Sequence, residues 1–175
     1  MNEQLKKLGD DGQLVTFRLG QETYGIDIFK IREVIHLQRI STIPKSPKFV
    51  EGVIEVRDQV IPVVNLKKRL GIQDKGGDKQ RIIILDLEDQ FMGVIVDDIS
   101  KVLRIDSKNY EILPDTVMRE KEKACVTRLG KTEDGLIILI SPEHILNRRE
   151  KKALKDLEKL REQEQVHAES LPGTA

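Results

Sequence analysis

The residue types that most often carry enzymatic or metal chemistry are few and scattered in this sequence. The three histidines, His36, His144 and His167, are far apart, and none has a second ligand at the spacing of a metal site. The single cysteine, Cys125, stands between an alanine and a valine with no histidine nearby. We therefore predict that the histidines are surface or packing residues and that Cys125 is a small buried hydrophobe.

One acidic pair is a candidate for phosphate or metal chemistry. Asp97 and Asp98 follow the β-branched run 94–96, as acids do at the strand end of a phospho-accepting receiver domain. The downstream sequence lacks the strand–helix alternation of a receiver, so the pair is expected to cap a short helix over 99–102 instead. The sequence has neither of the two glycine-rich motifs that bind phosphate, Gly-x-x-x-x-Gly-Lys-Ser/Thr and Gly-x-Gly-x-x-Gly. We predict a protein without catalytic activity, metal or cofactor.

Two charged residues are candidates for contact with a partner molecule. Arg57 is expected at the tip of an apolar β-hairpin, where folding gives little reason to require a guanidinium. Its five donors in a rigid fork suit a carboxylate or the carbonyls at a helix end. Glu33 is a single acid among apolar neighbours on a short predicted helix. For both residues the alternative is an ordinary solvated surface charge.

The hairpin that displays Arg57 spans residues 52–64. Two apolar, β-branched runs flank a polar turn formed by Arg57, Asp58 and Gln59. Pro62 cannot donate a ladder hydrogen bond, which favours an edge strand or a barrel corner for the second run. Asn65 then caps a short helix over 66–70, and Gly71 ends it.

The first half of the chain recurs in the second half. Strands are predicted over 14–19 and 23–26, followed by a helix over 28–34 capped by Asp27. A shift of 68 positions places Gly25 on Gly93 within the same apolar rhythm, and a slightly larger shift places Val60–Val64 on Leu136–Ile140. We predict two similar units, 13–71 and 81–141, each a small barrel of short strands, joined by the linker 72–80.

Composition limits the remaining function classes. The 175 residues carry 30 basic and 30 acidic side chains, and only 3% are aromatic, which argues against polyanion binding and base stacking. The single cysteine fits a reducing cytoplasm, and no apolar run is long enough to insert into a membrane.

The chain is expected to end in a charged helix. Ser141 as the cap and Pro142 at the first helical position predict that this helix begins there and runs to about residue 165. Residues 1–12 are expected to be mobile and residues 166–175 to be frayed.

Several segments, in order, resemble one known family. They are Glu22–Ile35, the proline-spaced segment with Ile43, Pro44 and Pro47, Gly52–Arg57, Val60–Leu66 and Gly93–Leu103. Together they cover roughly residues 14–147 and are similar to the CheW family of bacterial chemotaxis coupling proteins. Because several motifs recur in the family's order, the resemblance is far more specific than a single motif.

The resemblance implies a fold and a function. The expected fold is mainly β, with two SH3-like five-stranded β-barrel subdomains over 13–80 and 81–147, short helices, and a C-terminal α-helix and tail over 148–175. The expected function is a scaffold without catalysis that links the cytoplasmic tip of methyl-accepting chemoreceptors to the regulatory domain of the histidine kinase CheA. By motif, the resemblance implies that Ile31, Glu33 and Arg57 are receptor-contact positions, and Gly52 begins the motif that shapes the hairpin tip.

The sequence departs from the family pattern at three places and leaves one alternative function open. Asp58 stands where the family usually has glycine, so the geometry of the turn after Arg57 is in question. Asn65 and Ser141 stand at positions that are often aspartate, although both can cap a helix. The alternative function is a β-barrel module that binds a small ligand or nucleic acid, which the neutral charge and scarce aromatic residues disfavour.

Overall fold

The computed structural model describes residues 12–170, with side chains through residue 159, and the described part is mainly β. Eleven strands are accompanied by two α-helices and four short 3₁₀ turns. The strands are β1 Gln13–Leu19, β2 Glu22–Asp27, β3 Ile31–His36, β4 Val50–Val56, β5 Gln59–Asn65, β6 Arg81–Asp86, β7 Phe91–Val96, β8 Asp98–Arg104, β9 Tyr110–Glu111, β10 Val126–Thr132 and β11 Gly135–Ile140. The helices are α1 Leu66–Leu70 and α2 Arg148–Ser170. The expectation for residues 1–11 and 171–175 lies outside the described residues, whereas residues 166–170, expected to be frayed, still belong to α2.

The strands form two sheets, and each sheet takes strands from both halves of the chain. The six-stranded sheet has the order β8-β1-β2-β11-β10-β9, and the five-stranded sheet has the order β3-β6-β7-β5-β4. The expected division into consecutive subdomains, 13–80 and 81–147, therefore does not describe the sheets. One sheet has six strands rather than five because the two-residue strand β9 pairs with β10.

The internal repeat explains this exchange of strands. In each half, the first hairpin pairs in parallel with the second hairpin of the other half. Gly25 on β2 lies opposite Leu139 on β11, and Gly93 on β7 lies opposite Val63 on β5. The two glycines therefore occupy equivalent places, as the shift of 68 predicts, although neither half forms a sheet by itself.

Two predicted helices are wrong. Only Ile28–Lys30 is helical, as a single 3₁₀ turn capped by the Asp27 carboxylate, and the chain then continues as β3. The expected helix over 99–102 is likewise part of strand β8. Both segments are rich in β-branched residues, and each finds backbone partners in a strand far away in sequence, β6 for β3 and β1 for β8.

The hairpin 52–64 forms nearly as predicted, with two differences. Arg57 and Asp58 alone make the turn, while Gln59 begins β5. Strand β5 lies between β7 and β4, which excludes the edge strand, the first of the two predicted places for Pro62, and leaves the barrel corner. The proline is tolerated because the pairing of β5 with β7 begins one residue later, at Val63. Asn65 caps α1 and left-handed Gly71 ends it, as predicted.

In the described residues the core has three apolar clusters, one inside each barrel and a larger one between the two sheets. Strand β6 shows why: Ile82 and Ile84 face the interior of the five-stranded barrel, whereas Ile83 and Leu85 face the cluster between the sheets. Because successive side chains of a strand point to opposite faces, a strand buried on both faces is apolar throughout. The large shared cluster holds the two barrels together.

The C-terminal helix begins later than predicted. Pro142–His144 forms a 3₁₀ turn, and Ser141 gives it no side-chain cap. Helix α2 begins at Arg148 after Asn147, whose side chain accepts a hydrogen bond from the Glu150 backbone while the Glu150 carboxylate accepts one from the Asn147 backbone. This reciprocal pair is a capping box. Leu154 is 1% exposed, so the start of α2 packs against the core.

A buried ion cluster joins the two sheets at α1. The Lys67 side chain is 2% exposed, and its Nζ lies 2.7 Å from Asp74 and 2.5 Å from Asp97. Asp97 also accepts a hydrogen bond from the backbone of Gly20 in the β1–β2 turn. Asp97 therefore has a structural role, since it neutralises a buried lysine. The prediction that the acidic pair caps a helix is wrong, because Asp98 begins strand β8.

The cluster should make stability depend on acid. The hydrogen bond from Lys67 lowers the pKa of Asp74 from 3.8 to about 2. A carboxylate with a lowered pKa stabilises the fold above its ordinary pKa, and that contribution is lost as pH falls through the folded value. We expect the wild type to lose more free energy of unfolding than Asp74→Asn between pH 3.8 and about 2. Urea denaturation at a series of pH values measures this, and parallel curves for the two proteins would contradict it.

Candidate functional site

Three of the four residues matched by motif lie on the two edge strands of the five-stranded sheet, and the fourth lies in the turn that follows one of them. Ile31 and Glu33 are on β3, Gly52 is on β4, and Arg57 is in the β4–β5 turn. The sheet curls until these edges meet, and Ser41, in the segment after β3, exchanges two backbone hydrogen bonds of 2.9 Å with β4. Closure of the barrel therefore brings the four positions together.

Glu33 and Arg57 form a bridge across this closure. The Arg57 Nε donates to a Glu33 carboxylate oxygen at 3.2 Å, and a terminal nitrogen of the same guanidinium lies 3.1 Å from that oxygen. The Glu33 side chain is 20% exposed, whereas the Arg57 side chain is 69% exposed. Sequence reasoning selected each residue separately. The structure shows that the carboxylate orients the guanidinium and leaves most of it open to solvent.

The turn between β4 and β5 is a regular hairpin turn, although Asp58 stands where the family usually has glycine. Arg57 has φ 51° and Asp58 has φ 65°, so both turn residues are left-handed. This is the pattern of a type I′ hairpin turn, whose twist matches that of the flanking strands. Aspartate adopts the left-handed region more readily than most residues, which explains how Asp58 replaces glycine here.

A second arginine, which sequence reasoning missed, extends the site. Arg32 donates to the side-chain oxygen of Gln59 at 2.6 Å and lies over the ring of Phe91 at 4.4 Å from its centroid. The register of β3 against β6 shifts between Ile31 and Glu33, so Arg32 is the extra residue of a β-bulge. Nothing in its sequence neighbourhood distinguishes Arg32 from a solvated charge, because its partners come from other strands.

Gly52 affects the site through its backbone, which lies close to the backbone of Ser41. Its φ is +144°, and a Cβ added there would lie 2.0 Å from the carbonyl oxygen of Ser41. The segment after β3 thus crosses β4 at a distance that only glycine allows. Gly52 therefore shapes the closure that joins Glu33 to Arg57, and it offers no side chain to a partner.

Ile31 contributes less free surface than expected. It is partly buried and packs against the cluster between the sheets. Two neighbours that sequence reasoning did not select are more exposed: Phe29, in the 3₁₀ turn, is 86% exposed, and Val34, on β3, is 40% exposed. Exposed apolar surface on this part of the chain therefore comes from Phe29 and Val34 as well as from Ile31, although Val34 points to the other face of β3 from Glu33.

The residue types that most often carry chemistry have the following places in the described part. Among the described residues, no group of three or more His, Cys, Asp or Glu side chains is placed to hold a metal ion. Cys125 is buried, as predicted, and burial raises the pKa of its thiol to about 11. His144 is exposed, and its ring Nδ1 is hydrogen-bonded to the Ser141 hydroxyl at 2.8 Å. The side chain of His167 lies outside the described residues.

Comparison with known proteins identifies the family. The family model described as a CheW-like domain matches residues 13–150, which is most of the chain and contains both sheets. The chain belongs to the CheW-like family. Its match includes β3, β4 and the turn between β4 and β5, which carry the four site positions.

Relatives of this CheW-like chain are chemotaxis proteins. A CheW chemotaxis protein of Thermotoga maritima is 33% identical over 145 residues, which cover 81% of this chain and 94% of the relative. A CheW chemotaxis protein of Treponema pallidum is 36% identical over 110 residues, or 60% of this chain and 65% of that protein. The family and these relatives show a role in chemotaxis as an adaptor or scaffold.

A solved structure shares the CheW-like fold. The scaffolding protein TtCheW of Thermoanaerobacter tengcongensis is 39% identical, with a TM-score of 0.71 over 77% of this chain and 92% of that one. The two-subdomain β fold predicted from the resemblance is thereby confirmed, with sheets of six and five strands. In the described part of this CheW-like chain, no helix is long and apolar enough to cross a membrane.

Proposed function

We propose that this protein couples the cytoplasmic tips of methyl-accepting chemoreceptors to the regulatory domain of the histidine kinase CheA, in the cytoplasm and without catalysis of its own. The observation that carries the proposal is the Glu33–Arg57 bridge, an oriented and largely exposed guanidinium at the closure of a rigid barrel. Membership of the CheW-like family and similarity to a protein described as a scaffold support the same role.

The proposed mechanism is binding geometry. An amphipathic receptor helix lays its apolar face into the groove between the two barrels, with Ile31 and the exposed Val34 supplying apolar contact. Glu33 and Arg57 fix the register of the helix, because charged pairs add specificity more than bulk affinity. The kinase domain occupies a separate surface, so that one small protein holds both partners at once.

The bridge lowers the entropic cost of using Arg57. A free arginine loses rotamer freedom when it is fixed at an interface, at roughly 0.5–1.5 kcal/mol for a flexible side chain. Glu33 restricts the guanidinium before the partner arrives. The left-handed backbone of Arg57 places that residue at the apex of the turn. The exposed nitrogens remain free to bond a partner carboxylate or the carbonyls at a helix end.

Capture of partners from lysate tests the proposal. The tagged protein, incubated with lysate of a chemotactic bacterium, should retain a chemoreceptor and a histidine kinase, identified by mass spectrometry. A variant with Glu33 and Arg57 exchanged serves as the control, and it should lose the receptor. Recovery of nucleic acid or a metabolite in place of these proteins would contradict the proposal and favour a ligand-binding module.

A further inference from the structure

Gln90, just before strand β7, is a buried glutamine whose amide has no hydrogen-bond partner among the described residues. The residue is 9% exposed, and both the nitrogen and the oxygen of the amide are hidden from solvent. An amide that leaves water without gaining a partner costs free energy, whereas an apolar side chain of the same shape does not. The contact that buries Gln90 is therefore weakened by its amide.

Helix α2 makes that contact. Gln90 lies two positions before Met92 on the same face of the β6–β7 hairpin, and Met92 shares the cluster between the sheets with Leu154 of α2. The preceding residue, Asp89, forms an ion pair with Lys155 at 3.0 Å. Gln90 and Lys155 also line the same cleft. The helix thus covers the end of the hairpin that carries the unpartnered amide.

The chain before α2 and the first turn of the helix are held independently of Gln90. Ile145 and Leu146 are buried in the cluster between the sheets. The Arg69 guanidinium donates to the Ile145 carbonyl at 2.8 Å and to the Glu150 carboxylate at 3.1 Å. Together with the capping box at Asn147, these contacts fix residues 145–150 whether or not the rest of the helix is docked.

The next part of α2, residues 151–159, is held by fewer contacts. Leu154 is the one buried side chain in this range, and Leu157 is partly buried. The Asp89 and Lys155 side chains are 64% and 37% exposed, and ion pairs of this kind contribute little. The burial of one leucine therefore has to offset the burial of one unpartnered amide.

We propose that residues 151–159, here called the strap, open away from the β6–β7 hairpin while residues 145–150 stay docked. Opening returns the Gln90 amide to water, so that this residue keeps the closed state only slightly favoured. Regions with few buried apolar contacts open in this way without unfolding of the whole domain.

The strap lies beside the Glu33–Arg57 site. The cleft next to Lys155 is also lined by Gln59 and Phe91, the two residues that hold Arg32. Opening of the strap removes one wall of this cleft and exposes the side chains that support Arg32. The strap is therefore a conformational device built next to the charged bridge.

Hydrogen exchange of the full chain tests the proposal. An undocked helix is only marginally stable in water, so the backbone amides of residues 152–158 exchange whenever the strap opens. In the wild type they should exchange faster than the amides of β6, which require global unfolding. Gln90→Met keeps the length of the side chain without the amide, and exchange in both the strap and β6 should slow by the same factor, roughly tenfold.

The equal factor follows because Gln90 is solvated both when the strap is open and when the chain is unfolded. Gln21→Met is the matched control, since Gln21 is exposed in the β1–β2 turn, and it should leave exchange unchanged.

Three results would overturn the proposal. Wild-type strap amides that exchange as slowly as those of β6 would show that the strap opens only when the protein unfolds. Slowing confined to β6 in Gln90→Met would show that strap opening does not expose the amide. Unchanged exchange throughout that variant would show that the amide does not weaken docking. Gln90→Leu repeats the test should Gln90→Met fail to fold.

Discussion

Replacing Gly52 by alanine is expected to lower the free energy of unfolding by roughly 4 kcal/mol. The methyl group would lie 2.0 Å from the Ser41 carbonyl oxygen, so the segment after β3 must move away from β4. That movement breaks the two backbone hydrogen bonds between Ser41 and Val53 that close the barrel. Denaturant unfolding of the variant and the wild type measures the difference.

The matched control for Gly52 is Gly77. Its φ is +150°, close to that of Gly52, but an added Cβ would meet nothing within 4 Å. Gly77→Ala therefore imposes the same backbone strain without the clash and should cost only about 1 kcal/mol. An equal loss for both variants would show that the φ angle matters and the crossing of Ser41 over β4 does not.

Replacing Arg57 by alanine should have the opposite profile, a small effect on folding and a large one on binding. The free energy of unfolding should change by no more than about 0.5 kcal/mol, because exposed ion pairs contribute little. The affinity for a receptor cytoplasmic fragment should fall by roughly 2 kcal/mol, or thirtyfold, since a fixed guanidinium in an interface is costly to remove. Calorimetry of the variant and the wild type with that fragment measures the loss of affinity.

Three variants show which property of Arg57 matters. Glu33→Ala should weaken receptor binding as well, while kinase binding stays largely intact. Arg57→Lys retains the charge and loses the rigid fork, so it should recover only part of the affinity. Arg18→Ala removes an exposed arginine of β1 and should bind like the wild type. If Arg57→Ala unfolds the protein, the residue is structural, and if it binds normally, the receptor site lies elsewhere.

Local signals predicted the parts of the fold that are local. The β4–β5 hairpin has β-branched runs, a polar turn and a capping asparagine within fourteen residues, and it forms as predicted except that Gln59 belongs to β5 and β5 is not an edge strand. The helix predicted at the segment 28–35 is wrong, because apolar residues at positions 28, 31, 34 and 35 suit a helix face as well as a strand. Its backbone partner, β6, lies some fifty residues further along the chain, and that pairing decides the structure.

The repeat predicted that the halves are alike but not how they associate. A constant shift equates β2 with β7, yet it contains no information on which half supplies the parallel neighbour of each strand. The exchange places β6 between the interior of the five-stranded barrel and the shared cluster, so that both of its faces are buried.

Within the site, the sequence indicated residues but not their contacts. Arg57 and Glu33 are 24 positions apart, and only closure of the barrel brings them within hydrogen-bond distance. Arg32 was missed because its partners, Gln59 and Phe91, come from two other strands.

Simultaneous binding of the two partners tests the central claim most directly. Sedimentation velocity should be measured on the protein mixed with a receptor cytoplasmic fragment and the kinase regulatory domain, alone and together. A coupling protein with separate binding surfaces predicts one species that contains all three components and sediments faster than either binary complex. Two binary complexes that compete, with no ternary species at saturating concentrations, would contradict the claim that this protein couples receptor to kinase.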